Sequence, residues 1–255
     1  MKYLFADFET SDSHINSLCI LEGAFLLCDE NFNELDRLEK TINSPEKPFT
    51  IIIGGSKISG KIDVITSLLD KVDNLIIGGG MSYTFAKAMG GNIGNSLVEE
   101  DKIDLAKSII NKAKNKGVNL LLPIDSVNAN DFSNDSNILN SGITDIPDGY
   151  MGLDIGEESI RLFSDTIERS KTIIWNGPMG VFEMSKFENG TKKIGESICI
   201  STKNGAFSLI GGGDSVAAIK KFGMQNRVSY ISTGGGAMLE YLSGKDLPGV
   251  KAIIS

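Results

Sequence analysis

Residues 208–223 read SLIGGGDSVAAIKKFG, an apolar run that ends in Gly211, Gly212 and Gly213 before Asp214 opens a pattern of helical period. Glycines without a Cβ let a backbone come close to a ligand. Asp214 and Ser215 fall at the start of the predicted helix, where unpaired N–H groups and the helix dipole favour an anion and a carboxylate can hold its metal counter-ion. The stretch therefore predicts a strand, a turn and a helix arranged to take a phosphate with magnesium. The same grammar recurs at Gly54 and Gly55, at Gly78 to Gly80, and at Gly234 to Gly236. Glycine also serves tight strand-to-helix turns that bind nothing, so it is the repetition on one sheet that points to a ligand.

At 255 residues the chain is long enough for one large α/β domain with a short appendage. A formal net charge of -8, with no run of lysines or arginines, argues against a nucleic-acid surface. An anionic ligand must be held by local groups. The three cysteines, Cys19, Cys28 and Cys199, have no metal-ligand spacing, and no charged-then-apolar signal segment opens the chain. A reducing cytoplasm is the expected setting. Nowhere do some eighteen apolar residues run together, so no membrane span is expected.

From Thr50 onward six short apolar runs, TIIIGG, NLIIGGG, NLLLP, TIIWNG, FSLIGGG and VSYIST, are each followed by a segment of helix length. Strands that are apolar throughout are covered on both faces, which implies a parallel sheet with crossover helices. The expected fold is α/β, a Rossmann-like three-layer α/β/α domain around a six-stranded parallel sheet, spanning residues 49–255. Residues 1–48 read as an N-terminal extended segment followed by a helix over 30–42, ended by Pro45 and Pro48. Ile62, Ile65, Leu68 and Leu69, then Ile103, Ala106, Ile109 and Ile110, then Ile160, Leu162, Phe163 and Ile167 form apolar stripes that mark core faces. Residues 129–149, rich in Asn, Asp, Ser and Gly, read as a long excursion with room for a hairpin.

Ligands of open α/β sheets sit outside the carboxyl ends of the strands, so the glycine turns are expected to converge on one rim. GGSKISGKI, residues 54–62, has the spacing of a P-loop up to Lys61, but Ile62 stands where a Ser or Thr would bind magnesium. Lys57 and Lys61 share a face if the helix has begun by Lys57. In IIWNGPMGVFE, residues 173–183, Asn176, Gly177 and Pro178 follow a buried strand and suit the wall of a flat heterocycle, with Glu183 able to accept ribose hydroxyls. Trp175 itself reads as core. MGLDIG, residues 151–156, looks like a turn before a helix, with Asp154 as its cap.

Taken in order, GGSKISGKI, IIGGGMSYTF with IGNSL, YMGLDIGEES, IIWNGPMGVFE, LIGGGDS and STGGGAMLEYLSGKDLPGV resemble the successive signatures of the nucleotide-binding C-terminal half of phosphoglycerate kinase, over about residues 45–255. The resemblance implies an adenine nucleotide, ADP or ATP with Mg2+, as ligand. It implies that Gly78, Gly79, Leu97, Gly152, Leu153 and Met179 line the adenine pocket, with Pro178 beside them, and that Glu183 meets the ribose. Gly54, Gly55, Lys57, Lys61 and Asn176 would lie at the phosphates, and Gly211 to Gly213 with Asp214 and Ser215 would hold the magnesium nucleotide, Asp214 as metal ligand. The amides of Gly234, Gly235 and Gly236 would steady the phosphoryl group in flight. Gly60 stands where the family has an aspartate, and Ser215 where it has threonine. Residues 5–17, FADFETSDSHINS, resemble the end of the family's other half, with Asp12, Ser13 or neighbouring polar residues where a histidine and an arginine would bind phosphoglycerate. His14 reads as a surface residue.

Two readings compete. One is a phosphoglycerate kinase, or the nucleotide-binding part of one, working in glycolysis. The other is a catalytically inactive nucleotide-binding module, or one dependent on a separate N-terminal half or partner chain, that lacks the phosphoglycerate-binding half. An unrelated P-loop phosphotransferase is disfavoured by Ile62 and by the number of glycine turns.

Overall fold

The computed structural model describes residues 18–21, 24–27, 44–232, 238, 239 and 243. The expected helix over 30–42 and the segment around His14 lie outside the described residues. Near the start of the chain, β1 (Leu18–Leu21) and β2 (Ala24–Leu27) pair antiparallel as a hairpin.

The main sheet is built from β3 (Phe49–Ile53), β4 (Asn74–Ile77), β6 (Asn119–Leu121), β11 (Thr172–Asn176), β12 (Phe207–Gly211) and β13 (Tyr230–Ser232). Its order is β13-β12-β11-β3-β4-β6, and every neighbouring pair is parallel. These are the six apolar runs of the sequence. The chain starts in the middle at β3, winds outward through β4 to β6, then returns to the other side of β3 and winds outward again through β11, β12 and β13. The winding direction reverses between β3 and β11. Ligands of open parallel sheets bind at the carboxyl rim by such a switch point.

Both faces of the sheet are covered. Ile51 and Ile53 of β3 face one core, with Leu75, Ile77, Ile174 and Leu209, and this is closed by α1 (Ile62–Leu68), α2 (Ser82–Ala88) and α3 (Ile103–Lys116) through Ile65, Phe85 and Ile109. Ile52 faces the other core, with Ile76, Ile173, Trp175 and Ile210, closed by α4 (Glu157–Glu168), α5 (Asn189–Lys203) and α6 (Gly213–Lys221) through Phe163, Ile198 and Ile219. Alternate side chains of one strand feed opposite layers, which is why the strands read as continuous apolar runs. Trp175 is fully buried here. Of the helical stripes, Leu162 alone is substantially exposed, at 37%.

Between β6 and β11 the chain builds a second, antiparallel sheet of order β10-β7-β8 from β7 (Asp125–Ala129), β8 (Ile138–Gly142) and β10 (Met151–Ile155). A short parallel pair, β5 (Asn92–Ile93) with β9 (Asp145–Ile146), ties it to the loop after α2. The excursion over 129–149 thus contains a hairpin strand. MGLDIG is a strand with an irregularity between Gly152 and Asp154, not a turn. Asp154 does not cap the helix that follows it. It is buried, and its Oδ2 accepts the N–H of Gly190 at the start of α5, at 2.7 Å. No helix among the described residues is long and apolar enough to cross a membrane.

Candidate functional site

The turns after β3, β4 and β11 are zipped to one another across the switch point. Gly54 N–H donates to Asn176 O at 2.9 Å, Gly55 N–H to Pro178 O at 3.0 Å, and Gly79 N–H to Met179 O at 3.1 Å. Glycine is required for this contact. A Cβ on Gly54 would lie 2.1 Å from Pro178 O, and one on Gly79, whose φ is +68°, would lie 2.5 Å from Gly55 N. These glycines bring turn to turn, and the expectation that all of them open onto a ligand is corrected for two. Gly54 and Gly78 are buried and line neither cleft described below, because Gly78 is covered by the Met179 side chain.

Two clefts open at this rim. The polar one, of about 330 Å³, is lined by Gly55, Lys61, Asn176, Gly212, Gly213, Asp214 and Ser215, with Leu239 at one side. Lys61 does not sit within a helix beside Lys57. A tight turn, with Lys61 N–H on Ile58 O at 2.8 Å, delays α1 until Ile62. Lys57 is exposed and lines neither cleft. Lys61 reaches inward, donating to Gly54 O at 2.8 Å and to Asn176 Oδ1 at 2.9 Å. Burial lowers its pKa to about 8, and the nearby Asp214 carboxylate opposes that fall.

Asp214 is exposed in the first turn of α6, beside Lys61's cleft. Gly212 reaches that turn with φ +93°, whereas a Cβ on Gly213 would meet nothing within 4 Å. Gly213 lines the polar cleft and leaves open space beside it, without serving the packing of the turns. Ser215 is fully buried, and its Oγ accepts Gly177 N–H at 2.6 Å, which locks the turn after β11 to the start of α6. Gly211 ends β12, is buried and lines neither cleft.

The second cleft, of about 490 Å³, is more apolar and shares Gly55 and Asp214 with the first. Gly79, Leu97, Gly152, Leu153, Pro178, Met179 and Glu183 all line it. Gly152 is held by its N–H on Ser96 Oγ at 2.9 Å, and Val181 N–H bonds to Leu153 O at 2.8 Å, so the second sheet and the loop after β11 form one wall. Glu183 is exposed at the mouth. Sequence reasoning missed Phe132, which lines this cleft from the β7–β8 loop and is 58% exposed; Leu97, also lining it, is 46% exposed. The signal was a lone aromatic in a run of Asn, Asp and Ser. Gly234, Gly235 and Gly236 lie outside the described residues.

A joined polar and apolar cleft of this kind, at the switch point of a parallel sheet, agrees with comparison to known proteins. The family model for phosphoglycerate kinase matches residues 31–245, most of the chain. The chain belongs to the phosphoglycerate kinase family. The phosphoglycerate kinase of Porphyromonas gingivalis is 55% identical over 220 residues, covering 86% of this chain and 53% of the relative. Phosphoglycerate kinase 3, cytosolic, of Arabidopsis thaliana is 56% identical over 220 residues, covering 86% and 55%. The solved phosphoglycerate kinase of Coxiella burnetii superposes with a TM-score of 0.82 at 40% identity, covering 87% of this chain and 56% of that one. That of Pyrococcus horikoshii superposes at 0.73 and 27% identity, covering 87% and 55%. The chain spans about half the length of the phosphoglycerate kinases it matches.

Proposed function

We propose that this chain is the nucleotide-binding half of a phosphoglycerate kinase, holding ADP or ATP with Mg2+ across the rim of the β3 and β11 turns. The observation that carries the reading is the meeting of the two clefts at Gly55 and Asp214. A purine fits the apolar compartment between Leu97, Phe132, Leu153 and Met179, Glu183 is placed to accept ribose hydroxyls, and the phosphates run toward Lys61, Asn176 and the open backbone at Gly213. The donor set suits Mg2+. Among the described residues no three His, Cys, Asp or Glu side chains gather into a protein-only cage, and Asp214 offers a single hard carboxylate, which matches an ion that shares its shell with phosphate and water. When bound, the ion neutralises charge on the phosphate oxygens.

The reaction proposed is glycolytic phosphoryl transfer between 1,3-bisphosphoglycerate and ADP. An ionised β-phosphate oxygen of ADP attacks the phosphorus of the acyl phosphate, the bond from phosphorus to the acyl oxygen breaks, and 3-phosphoglycerate leaves as a carboxylate. No base is needed, so the chain's contribution is positioning and charge. Lys61 stays within reach of the transferred group. The cytoplasm is the setting proposed, in line with the name of the Arabidopsis relative.

One observation favours a second reading, in which the chain binds nucleotide but needs another half or partner chain for turnover. Lys61 is the only Lys or Arg lining either cleft among the described residues. The loss of one cationic transition-state group costs roughly a thousandfold, by analogy with arginine fingers. Titration calorimetry with MgADP, followed by a coupled assay with 3-phosphoglycerate and MgATP, separates the two. Binding with turnover supports the complete enzyme, binding alone supports the dependent half, and no binding refutes both.

A further inference from the structure

The loop after β11 supplies Pro178, Met179, Gly180, Val181 and Glu183 to the apolar cleft, yet it contains no regular structure of its own. Its geometry must come from elsewhere. Gly177, at the loop's start, is tied to Ser215 as described. Met179 and Gly180 are tied to a single side chain: Thr191 Oγ1 accepts the N–H of Met179 at 3.0 Å and that of Gly180 at 3.2 Å. Thr191 is fully buried in the first turn of α5 and lines neither cleft. The turn that carries it is pinned in its own right, because Gly190 N–H bonds to Asp154 Oδ2 on β10, the strand that provides Gly152 and Leu153 to the same cleft. Close packing leaves little slack: a Cβ on Gly180 would lie 2.2 Å from Asp154 Oδ1, and one on Gly78 would lie 2.4 Å from Met179 Sδ.

We propose that Thr191 is a positioning residue for the nucleoside: by taking up the two adjacent N–H groups of Met179 and Gly180, its hydroxyl fixes Met179 as the floor against which the base lies, and so sets nucleoside affinity without touching the ligand. The inference rests on the nucleotide-binding reading above. It assigns the job to one atom. The methyl group of Thr191 and the helix that carries it would remain in a valine variant, while the buried Met179 N–H and the part-buried Gly180 N–H would lose their acceptor. The polar cleft is held by different bonds, from Lys61 to Asn176 and from Gly177 to Ser215. Polyphosphate binding is therefore insulated from the change.

The test compares MgADP with magnesium tripolyphosphate by calorimetry on the full chain. Thr191→Val is expected to weaken MgADP about tenfold and to leave tripolyphosphate within about twofold, and Thr191→Ser, which keeps the oxygen, is expected to restore MgADP affinity. Wild-type MgADP affinity in Thr191→Val, or a parallel loss of tripolyphosphate, overturns the proposal. Amide exchange in the wild-type protein reads the same claim without a variant. The Met179 and Gly180 amides are expected to slow further with MgADP and not with tripolyphosphate, and equal slowing by both ligands overturns it. If wild-type protein binds tripolyphosphate but not MgADP, the nucleotide reading itself fails, and the Thr191 proposal with it.

Discussion

On the proposed nucleotide-binding reading, the Lys61 ammonium links binding to protonation, and the sign of the linkage can be worked out from its burial. Burial brings its pKa from the usual 10.5 down to about 8 in the free protein. At pH 9 only about one in ten molecules then carries the charge. A polyphosphate entering the polar cleft supplies the missing partner, and if it returns the pKa to its usual value nearly every bound molecule is protonated. Binding at pH 9 should take up about 0.9 proton, against about 0.1 at pH 7, and affinity should fall about tenfold between those two values. The terminal phosphate of ADP is already ionised above about pH 8, so it does not mask the effect. Stability of the ligand-free protein runs the other way. Between about pH 8 and 10.5 the unfolded chain holds more protons at this site than the folded one, so stability rises with pH, by on the order of 3 kcal/mol at about 1.4 kcal/mol per pH unit. Calorimetry of MgADP binding in two buffers of different ionisation heat measures the proton uptake directly. Lys61→Met should abolish it and flatten both pH dependences. Uptake below about 0.2 proton at pH 9 in the wild type, or the same uptake in Lys61→Met, would refute the reasoning.

Glycines of the two kinds should respond in opposite ways to alanine. Gly79→Ala forces φ +68° on a residue with a Cβ that meets the Gly55 backbone, and should lower stability by about 2–3 kcal/mol in urea unfolding. Gly213→Ala meets nothing within 4 Å, so its urea midpoint should hold or rise slightly, while MgADP affinity drops by about tenfold or more because the new methyl occupies the ligand's approach. Ser215→Ala leaves the buried Gly177 N–H unpaired and should cost about 1–3 kcal/mol by the same measurement. Burial raises the Asp154 carboxyl to about 8, against the pull of the Gly190 and Ile155 N–H groups. The folded state then holds more protons than the unfolded one between about pH 4 and 8, so stability should fall as pH rises through that window, and thermal unfolding of Asp154→Asn should lack this slope.

The main sheet was legible because its chemistry is uniform. FTIII of β3 is buried at every position, and a strand buried on both faces has only one way to read. Strand order was not legible: nothing in TIIWNG says that β11 lies beside β3, since that depends on which crossovers pack together far along the chain. The second sheet was hidden for a different reason. β7 buries Ser126 and Asn128, whose hydroxyl and amide are paired with Tyr83 and Ser141, so it carries no apolar alternation to detect. Phe132 went unseen for the same reason, because its place at the cleft is set by that hairpin. Lys57 and Lys61 share a face only if the helix begins by Lys57, and where it begins was not legible; the helix starts at Ile62, with the buried Ile58 and its tight turn before it.

Glycine-rich turns invite the inference that a ligand lies wherever a side chain is missing. Here the missing Cβ atoms divide into two sets. At Gly54, Gly79 and Gly177 the space is already filled by the backbone of a neighbouring turn, so those glycines are what allow three loops to be joined into a rigid rim. At Gly213 the space is empty and faces the cleft beside Asp214. The first set makes the second useful, since an open backbone at a helix start can hold an anion in a fixed place only if its surroundings do not yield. The bonds of the rim run between turns of different strands, and on the side of the polar cleft they are anchored behind by Ser215. Both described clefts are lined by residues of this chain, whereas on the proposed reading charge for the transferred phosphoryl group, which Lys61 alone supplies among the described cleft residues, is the part of the reaction for which another half would matter most.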